Sequence, residues 1–325
     1  MRTRRDILAL GTALPWMMLG AAHATPAGFP SRLVRIVVPF TAGGSADASA
    51  RILADKLAAM WGQPVIIENK PGAGTTIASG YVAQAEPTGY LLYLAYNLSY
   101  AATATIYKKL SYDPLKDLAP VSLVASAPFI LAAGSGCPAK TFDELLELAK
   151  DPKNDVTFAS TGTGAGPHLA TELFLRQVGM KARHVPYRGS GEVVTALLGG
   201  FVQFSFLDVS ALGALQSGQL RPLAVTTPQR WAPLPSVPTI AEATRSSFEI
   251  SSDSCVLAPA GVPEEIVSYI NSSIVKALAL PDAVKRYADQ GFIATSSTPE
   301  ALSSKIRTDI DRLGPVIRDL GLTSG

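Results

Sequence analysis

Two short stretches of the chain combine glycine with small hydroxyl residues immediately before a predicted helix. The first covers residues 41–45 (TAGGS) and the second residues 160–166 (STGTGAG). Glycine allows a backbone to approach a ligand closely, and the first turn of a helix presents N–H groups that have no partner within the helix. Together with the positive end of the helix dipole, such a turn suits a carboxylate or a phosphate. The two turns therefore predict two lobes that close on one small acid.

The first turn is positioned by a strand before it and a helix after it. Residues 34–38 (VRIVV) form an apolar run typical of a buried strand, and Pro39 ends it because proline has no N–H to donate. The helix is predicted to begin with Ser45 or Asp47 as its cap and to end at Gly62. Its apolar residues recur with a helical period: Ala50, Leu53, Ala54, Leu57 and Trp61.

The second turn has the same setting. Residues 156–159 (VTFA) predict a short strand, and Pro167 suits the first helical position. Residues 168–178 then predict a helix with one apolar face. Capping by Ser160 or Thr163 is compatible with ligand binding, because N–H groups of the helix remain free for a ligand.

Strands alternate with helices along the rest of the chain, which predicts an α/β fold. Ligands of such sheets bind beyond the carboxyl ends of strands, so the exit after Val38 and a predicted loop at residues 96–99 are candidate pocket walls. Residues 118–133 are interpreted as the crossing into a second lobe. The predicted units are a first lobe (25–126), a second lobe (127–254) and a helical return to the first lobe (255–325).

The N-terminus predicts export. Residues 1–24 contain three arginines, an apolar core and a small-residue cleavage site, which is typical of a signal peptide; whether this is a general secretory or a twin-arginine signal stays open. Without these residues the chain holds 25 Lys and Arg against 25 Asp and Glu. A neutral protein does not suit nucleic acid, which needs a basic surface. We therefore expect a periplasmic protein without a nucleic-acid partner.

The motifs of common enzyme classes are missing from the sequence. It contains no Gly-x-Ser-x-Gly, no Gly-x-Gly-x-x-Gly and no Gly-Lys-Ser/Thr. The histidines and cysteines that follow residue 24 offer no spacing for a metal site. We predict no catalytic residue, cofactor or metal, and keep an exported hydrolase as the alternative function.

Many short motifs, in order, resemble the periplasmic solute receptors of tripartite tricarboxylate transporters, often called Bug proteins. The resemblance covers nearly the whole chain after the signal. The matching motifs lie at residues 38–44 (VPFTAGG), 62–65 (GQPV), 68–74 (ENKPGAG), 85–90 (AEPTGY), 112–114 (YDP), 120–124 (PVSLV), 184–189 (HVPYRG), 198–200 (LGG), 223–226 (LAVT), 234–243 (LPSVPTIAEA) and 257–261 (LAPAG).

The resemblance implies a fold, a function and a site. The fold is a type II periplasmic binding protein, a two-lobed "Venus flytrap" in which each lobe is a mixed sheet flanked by helices. The function is capture of a di- or tricarboxylate, aromatic acid or amino acid, and delivery to transporter subunits in the membrane. We expect a monomer. The implied ligand-binding residues are Phe40, Thr41, Ala42, Gly43, Gly44, Asn97, Ser160, Thr163, Gly164, Ala165, His168 and Asp208.

Several residues keep two interpretations at this stage. His168 is either a ligand contact or a buried core histidine. Asp208 is either a helix cap or a cleft residue, and in a carboxylate site it should orient water, a ligand amine or a neighbouring hydroxyl. Arg188 is interpreted as a solvated turn residue and is left out of the site.

Three further questions stay open from the sequence. Asp47 and Arg51, one helical turn apart, are expected to pair with each other. A disulfide between Cys137 and Cys255 stays open beside two separate buried thiols. The identity of the acid, and whether the protein serves transport or a signalling partner, also stay open.

Overall fold

The computed structural model describes residues 28–107, 109–151 and 153–323. The predicted signal at residues 1–24 lies outside this part of the chain. Over the described residues, we find no helix with both the length and the apolar character needed to cross a membrane. The helices are α1 (Ser45–Trp61), α2 (Thr76–Ala83), α3 (Asn97–Ile106), α4 (Phe142–Lys150), α5 (Gly166–Val178), α6 (Ser190–Leu198), α7 (Leu212–Gln216), α8 (Ile240–Thr244), α9 (Glu264–Leu278), α10 (Pro281–Asp289) and α11 (Pro299–Asp319).

The strands form two mixed sheets. The first has the order β11-β4-β10-β3-β1-β2 and the second the order β7-β6-β8-β5-β9. We call each sheet with its helices a lobe. The strands are β1 (Val34–Val38), β2 (Val65–Asn69), β3 (Leu91–Tyr96), β4 (Leu118–Ser126), β5 (Ile130–Ala133), β6 (Thr157–Ser160), β7 (Arg183–Pro186), β8 (Phe204–Leu207), β9 (Arg221–Val225), β10 (Ser254–Pro259) and β11 (Ile293–Ala294).

In both sheets, parallel strands direct their carboxyl ends to one edge. In the first, β1 pairs in parallel with β2 and β3, while β10 runs antiparallel between β3 and β4. In the second, β6 pairs in parallel with β7 and β8, and β5 is antiparallel to β8 and β9. The turns after β1 and β6 therefore leave their sheets at the edge where α/β proteins bind ligands.

The two lobes are joined by two neighbouring chain segments and by one helix. Between β4 and β5, Ala127 exchanges backbone hydrogen bonds of 3.2 and 2.8 Å with Ser252, which precedes β10. Helix α11 packs Leu302 and Ile306 in the core of the first lobe, and Leu313 with Ile317 among core residues of the second. The interior of the protein is thus continuous from one lobe to the other.

Helix α1 matches its predicted extent, but the prediction of Ser45 or Asp47 as its N-terminal cap is wrong. Gly44 is the N-cap residue, and no side chain caps the helix. Asp47 lies in the third helical position, so its carboxylate turns back and accepts a hydrogen bond from the Gly43 N–H at 3.0 Å. Gly62 ends the helix in the left-handed conformation, as predicted, with φ of 64°.

Residues 96–99 were predicted as a loop, and the structure corrects this prediction. Helix α3 begins at Asn97, directly after β3. The helix packs against α11, and Ala101 and Ala102 are fully buried. Packing of this small, apolar face against α11, which is distant in sequence, stabilises α3, although the local sequence pattern does not predict a helix here.

The cysteine pair left open by the sequence is not a disulfide. Cys137 and Cys255 are both free thiols and both buried. Cys137 belongs to a core cluster of the second lobe, whereas Cys255 lies on β10 in a cluster of the first lobe. Burial raises the pKa of both thiols, which keeps them protonated.

Candidate functional site

The two glycine-containing turns face one cavity of about 750 Å³ between the lobes. The first lobe contributes the turn after β1 and the start of α1, and the second contributes the turn after β6 and the start of α5. The predicted juxtaposition of the turns is therefore present in the fold. Of the predicted site residues, those that line the cavity are Phe40, Thr41, Gly44, Thr163, Gly164, Ala165 and Asp208.

Several helices from both lobes, α1, α5 and α6 among them, start at this cavity without a side-chain cap. The N-cap residues of these three are Gly44 for α1, Ala165 for α5 and Gly189 for α6. The first-turn N–H groups of an uncapped helix need acceptors from outside the helix. Three such termini on one cavity, each with a positive partial charge, form an environment for a negatively charged guest. The third terminus, at α6, was missing from the sequence prediction.

The first turn is fixed by the side chains of Asp47 and Asn69. Asp47 accepts hydrogen bonds from Arg51 at 2.8 Å and from the Gly43 N–H at 3.0 Å, so the predicted pairing of Asp47 with Arg51 is confirmed. Asn69 at the end of β2 donates to the Phe40 carbonyl at 3.0 Å and to Asp47 at 3.1 Å. Burial of Asp47 opposes its ionisation, but these hydrogen bonds outweigh burial and lower the pKa of Asp47.

Ala42 and Gly43 belong to this turn but do not line the cavity. Gly43 has φ of 85°, a conformation that glycine adopts without steric cost. Their part in the turn is to return the backbone from Thr41 to the start of α1. The side chains that fix the turn stand behind it, on α1 and β2.

The second turn depends on two glycines. Gly162 and Gly164 have φ of 131° and 79°, and both line the cavity. A Cβ on Gly164 would lie 2.7 Å from Cδ1 of Ile106, which belongs to α3 in the first lobe. The two lobes therefore touch at this point, and only glycine allows so close an approach.

Ser160 and His168 lie behind the second turn, away from the cavity lining. Ser160 is fully buried and His168 is 2% exposed. The Gly164 N–H donates to Nδ1 of His168 at 3.0 Å, and Ser160 Oγ lies 2.6 Å from Nε2 of His184. Both residues face the interior of the second lobe and support the turn from that side.

Asn97 is placed away from the cavity lining. It is 1% exposed, its side-chain amide donates to Asp309 on α11, and its N–H donates to the Asp253 carbonyl at 2.8 Å. Because α3 starts at this residue, the Asn97 side chain is directed into the helix packing. Its neighbours Tyr96, Leu98 and Ser99 line the cavity instead.

Asp208 lines the cavity and also caps a short helical turn. One carboxylate oxygen accepts a 2.9 Å hydrogen bond from the Ser210 N–H, and the other accepts one of 2.7 Å from the Ser190 hydroxyl. Ser190 is the first residue of α6. Of the roles considered for Asp208, the structure shows both the cap and the orientation of neighbouring hydroxyls.

Arg188 lines the cavity, although the sequence analysis left it out. It is exposed and follows β7, next to the start of α6. Among the described residues that line the cavity, Arg188 is the one with a cationic side chain. The signal that pointed to it was its position in a Gly-containing turn before a helix, the pattern used for the other two turns.

Apolar side chains form the remaining wall. The rings of Phe40 and Tyr96 pack edge to face with centroids 5.5 Å apart. Leu98, Phe129 and Phe292 complete this surface. The cavity thus combines polar helix starts with an apolar wall, which suits a small acid with a hydrocarbon body. No group of three or more possible metal ligands occurs in the part of the chain that the structure covers.

Two lobes around a cavity with helix N-termini on both sides define a two-lobed solute-binding protein. The family model described as "Tripartite tricarboxylate transporter family receptor" matches residues 49–322. The chain belongs to this family, whose members are periplasmic solute-binding receptors rather than enzymes. The family assignment and the two-lobed fold predicted from the sequence are therefore confirmed.

Relatives and solved structures support this assignment over almost the whole chain. Protein BugT from Bordetella pertussis is 34% identical over 303 residues, which cover 93% of each chain. The R. palustris protein Rpa4515, solved with adipate, has a TM-score of 0.81 at 32% identity, covering 90% of this chain and 98% of that one. MatC from Rhodopseudomonas palustris, solved with bound malate, has a TM-score of 0.77 at 31% identity, covering 89% and 100%.

Proposed function

We propose that the protein binds a small carboxylate in the cavity between its lobes and delivers it to a tripartite tricarboxylate-type membrane transporter. One observation carries the proposal: uncapped helix N-termini from both lobes, those of α1, α5 and α6 among them, meet at one cavity. A carboxylate there receives backbone N–H groups from α5 or α6 of the second lobe. The opposite end of the ligand meets the start of α1 in the first lobe.

The charges around the cavity agree with an anionic ligand. Arg188 supplies a positive charge beside the start of α6. The carboxylate oxygens of Asp208 already accept hydrogen bonds from the Ser190 hydroxyl and the Ser210 N–H, which limits the repulsion between Asp208 and a bound carboxylate. Asp253, the other acid of the lining, pairs with Lys305 at 3.0 Å. With Asp253 paired, the lining keeps one negative side chain, Asp208, and one positive side chain, Arg188, so its side chains carry no net negative charge.

Capture is proposed to proceed by a shift of population toward a closed form. A ligand that contacts both lobes favours the closed arrangement by its differential affinity. The hinge is proposed at residues 125–130 and 250–256, where the backbone crosses twice between the sheets. The closed monomer would dock on the membrane subunits after export directed by residues 1–24. The proposed first lobe comprises residues 25–126 and 255–325, and the proposed second lobe comprises residues 127–254.

Thermal-shift and calorimetric titrations test the proposal. The panel contains adipate and malate, the acids present in two related structures, together with tricarboxylates, aromatic acids and amino acids. At least one acid should raise the melting temperature and bind with a measurable Kd, because a ligand that binds only the native state stabilises it. The matched diamide, which lacks the charge, should not. A panel without any stabilising acid would overturn the proposal.

A further inference from the structure

Two histidines stack directly behind the second glycine turn. His168 lies in the first turn of α5 and His184 on β7, and their ring centroids are 3.9 Å apart with planes inclined by 17°. Phe158 on β6 extends the stack, 4.9 Å from His184. The three rings form one stack, and both histidines form hydrogen bonds with residues of the turn at 160–165.

Each histidine holds one end of the turn through a hydrogen bond. Nδ1 of His168 accepts from the Gly164 N–H at 3.0 Å. Nε2 of His184 lies 2.6 Å from Ser160 Oγ, and this hydroxyl contacts the Gly162 carbonyl at 3.0 Å and the Gly162 N–H at 3.2 Å. Gly162 and Gly164, the two residues with positive φ, are thereby fixed from the inner side.

The hydrogen bond from the Gly164 N–H requires a neutral His168 ring. An Nδ1 atom that accepts from an N–H carries no proton, so the proton of His168 must lie on Nε2. A second positive charge 3.9 Å away would also repel the first, since the rings face each other. Burial, followed by the proximity of His184, lowers the pKa of His168 to about 3. Burial also lowers the pKa of His184 to about 4.

The acidic group that faces this pair, Glu172, does not change the assignment of both rings as neutral. Glu172, one turn along α5, places Oε1 3.7 Å from Nε2 of His168. Burial raises the pKa of Glu172, so neither partner favours an ion pair. At 3.7 Å, the contact between the His168 Nε2 and the Glu172 carboxyl oxygen is longer than a hydrogen bond.

We propose that His168 and His184 are positioning residues: a neutral, stacked pair that holds the second glycine turn in its ligand-binding conformation. The inference rests on the proposed function, because it assigns the turn to the ligand. His168 acts through the Gly164 N–H and does not touch the ligand. Protonation of His168 would set an N–H against the Gly164 N–H and release that end of the turn.

Paired substitutions separate the hydrogen bond from the bulk of the ring. His168→Leu and His184→Leu remove the nitrogens, whereas His168→Asn and His184→Gln retain a polar atom near Nδ1 or Nε2. Each leucine variant should weaken binding of the best carboxylate of the panel by about tenfold. The amide variants should recover most of that loss. Native affinity in both leucine variants, with native binding by the parent protein, would overturn the inference but leave the proposed function intact.

Nitrogen NMR of the imidazoles tests the pair without any ligand. Both rings of the native protein should stay neutral from pH 8 to about pH 5, with His168 as the Nε2–H tautomer. Titration of either ring within that range would contradict the inference, whatever the leucine variants do. If the parent protein binds no acid while the rings stay neutral, the proposed function fails and the stacked pair stands as a structural support.

Discussion

Ile106 of the first lobe packs directly against Gly164 of the second, beside the cavity. A Cβ at position 164 would lie 2.7 Å from the Ile106 Cδ1 atom, and Gly164 has φ of 79°. The close approach and the left-handed backbone both require glycine. The fit between the lobes therefore depends on the absence of a side chain in the turn that is proposed to bind the ligand.

Gly164→Ala should weaken ligand binding by tenfold or more, because the added methyl group keeps the lobes apart and strains the turn. The left-handed backbone alone should cost about 1 kcal/mol of folding stability. Calorimetric titration measures the first effect and urea unfolding the second. Adding Ile106→Ala makes room for the methyl group, so the double variant should recover part of the affinity. Unchanged affinity in Gly164→Ala would show that this contact does not control binding.

Gly44→Val should abolish ligand binding and leave the fold intact. Gly44 has φ of −81°, which any residue adopts, and the nearest atom to an added Cβ is the Thr41 carbonyl oxygen at 3.7 Å. The side chain would therefore fit the backbone but occupy the cavity at the start of α1. Circular dichroism and titration measure the two outcomes, with Gly44→Ala as the smaller control. Retained affinity in the valine variant would remove this turn from the site.

Arg188→Gln should reduce affinity for a carboxylate several-fold and make the remaining binding less sensitive to salt. The side chain is exposed, so folding stability should stay within about 0.5 kcal/mol of the native value. Titrations at low and high salt measure both effects. Arg183→Gln is the matched control, since Arg183 lies on β7 and pairs with Asp155 at 2.6 Å. Equal effects of the two substitutions would argue against a specific role of Arg188.

The stacked histidines should make folding stability fall as the pH drops from about 6.5 to 5. Burial holds the pKa of His168 near 3 and that of His184 near 4, against 6.5 for an unperturbed ring. The unfolded chain therefore binds protons in this range that the native protein does not, and stability falls by up to about 1.4 kcal/mol per pH unit for each ring. Urea unfolding across the range measures the slope. The His168→Asn, His184→Gln double variant should lose it, and a native slope in that variant would contradict the assignment.

The buried thiols should resist modification until the protein unfolds. A thiol reagent should label neither Cys137 nor Cys255 in the native protein and both in denaturant. A reductant should leave the melting temperature unchanged, because no disulfide constrains the chain. Absence of free thiols in denaturant without reductant would instead indicate a bridge.

The local sequence pattern was sufficient to predict β1, α1 and the positions of the two glycine-containing turns. The apolar run at residues 34–38, the 3.6-residue period of α1 and its end at Gly62 all agree with the structure. Both turns were located because glycine and hydroxyl residues stand between a strand and a helix. That the turns share one cavity was predicted because two anion-binding turns in one chain suggest two lobes that close on one small acid.

The features that the sequence could not predict depend on contacts with residues that are distant along the chain. The side chain of Asn97 binds Asp309, a residue 212 positions later, so its direction could not be predicted locally. The same holds for α3, whose stability comes from packing on α11. Ser160 and His168 were correctly assigned to the second turn and the helix that follows it. The sequence could not predict whether their side chains face the cavity or the interior of the second lobe, because this depends on the side of the sheet that the turn covers.

Strand β10 lies inside the first sheet, between β3 and β4, although it comes after every strand of the second lobe. During synthesis, the second sheet therefore has all its strands while the first still lacks an interior one. The first sheet stays incomplete until residues 254–259, and then its edge strand β11, have left the ribosome. The order in which the two sheets obtain all their strands is thus the reverse of the order in which they begin.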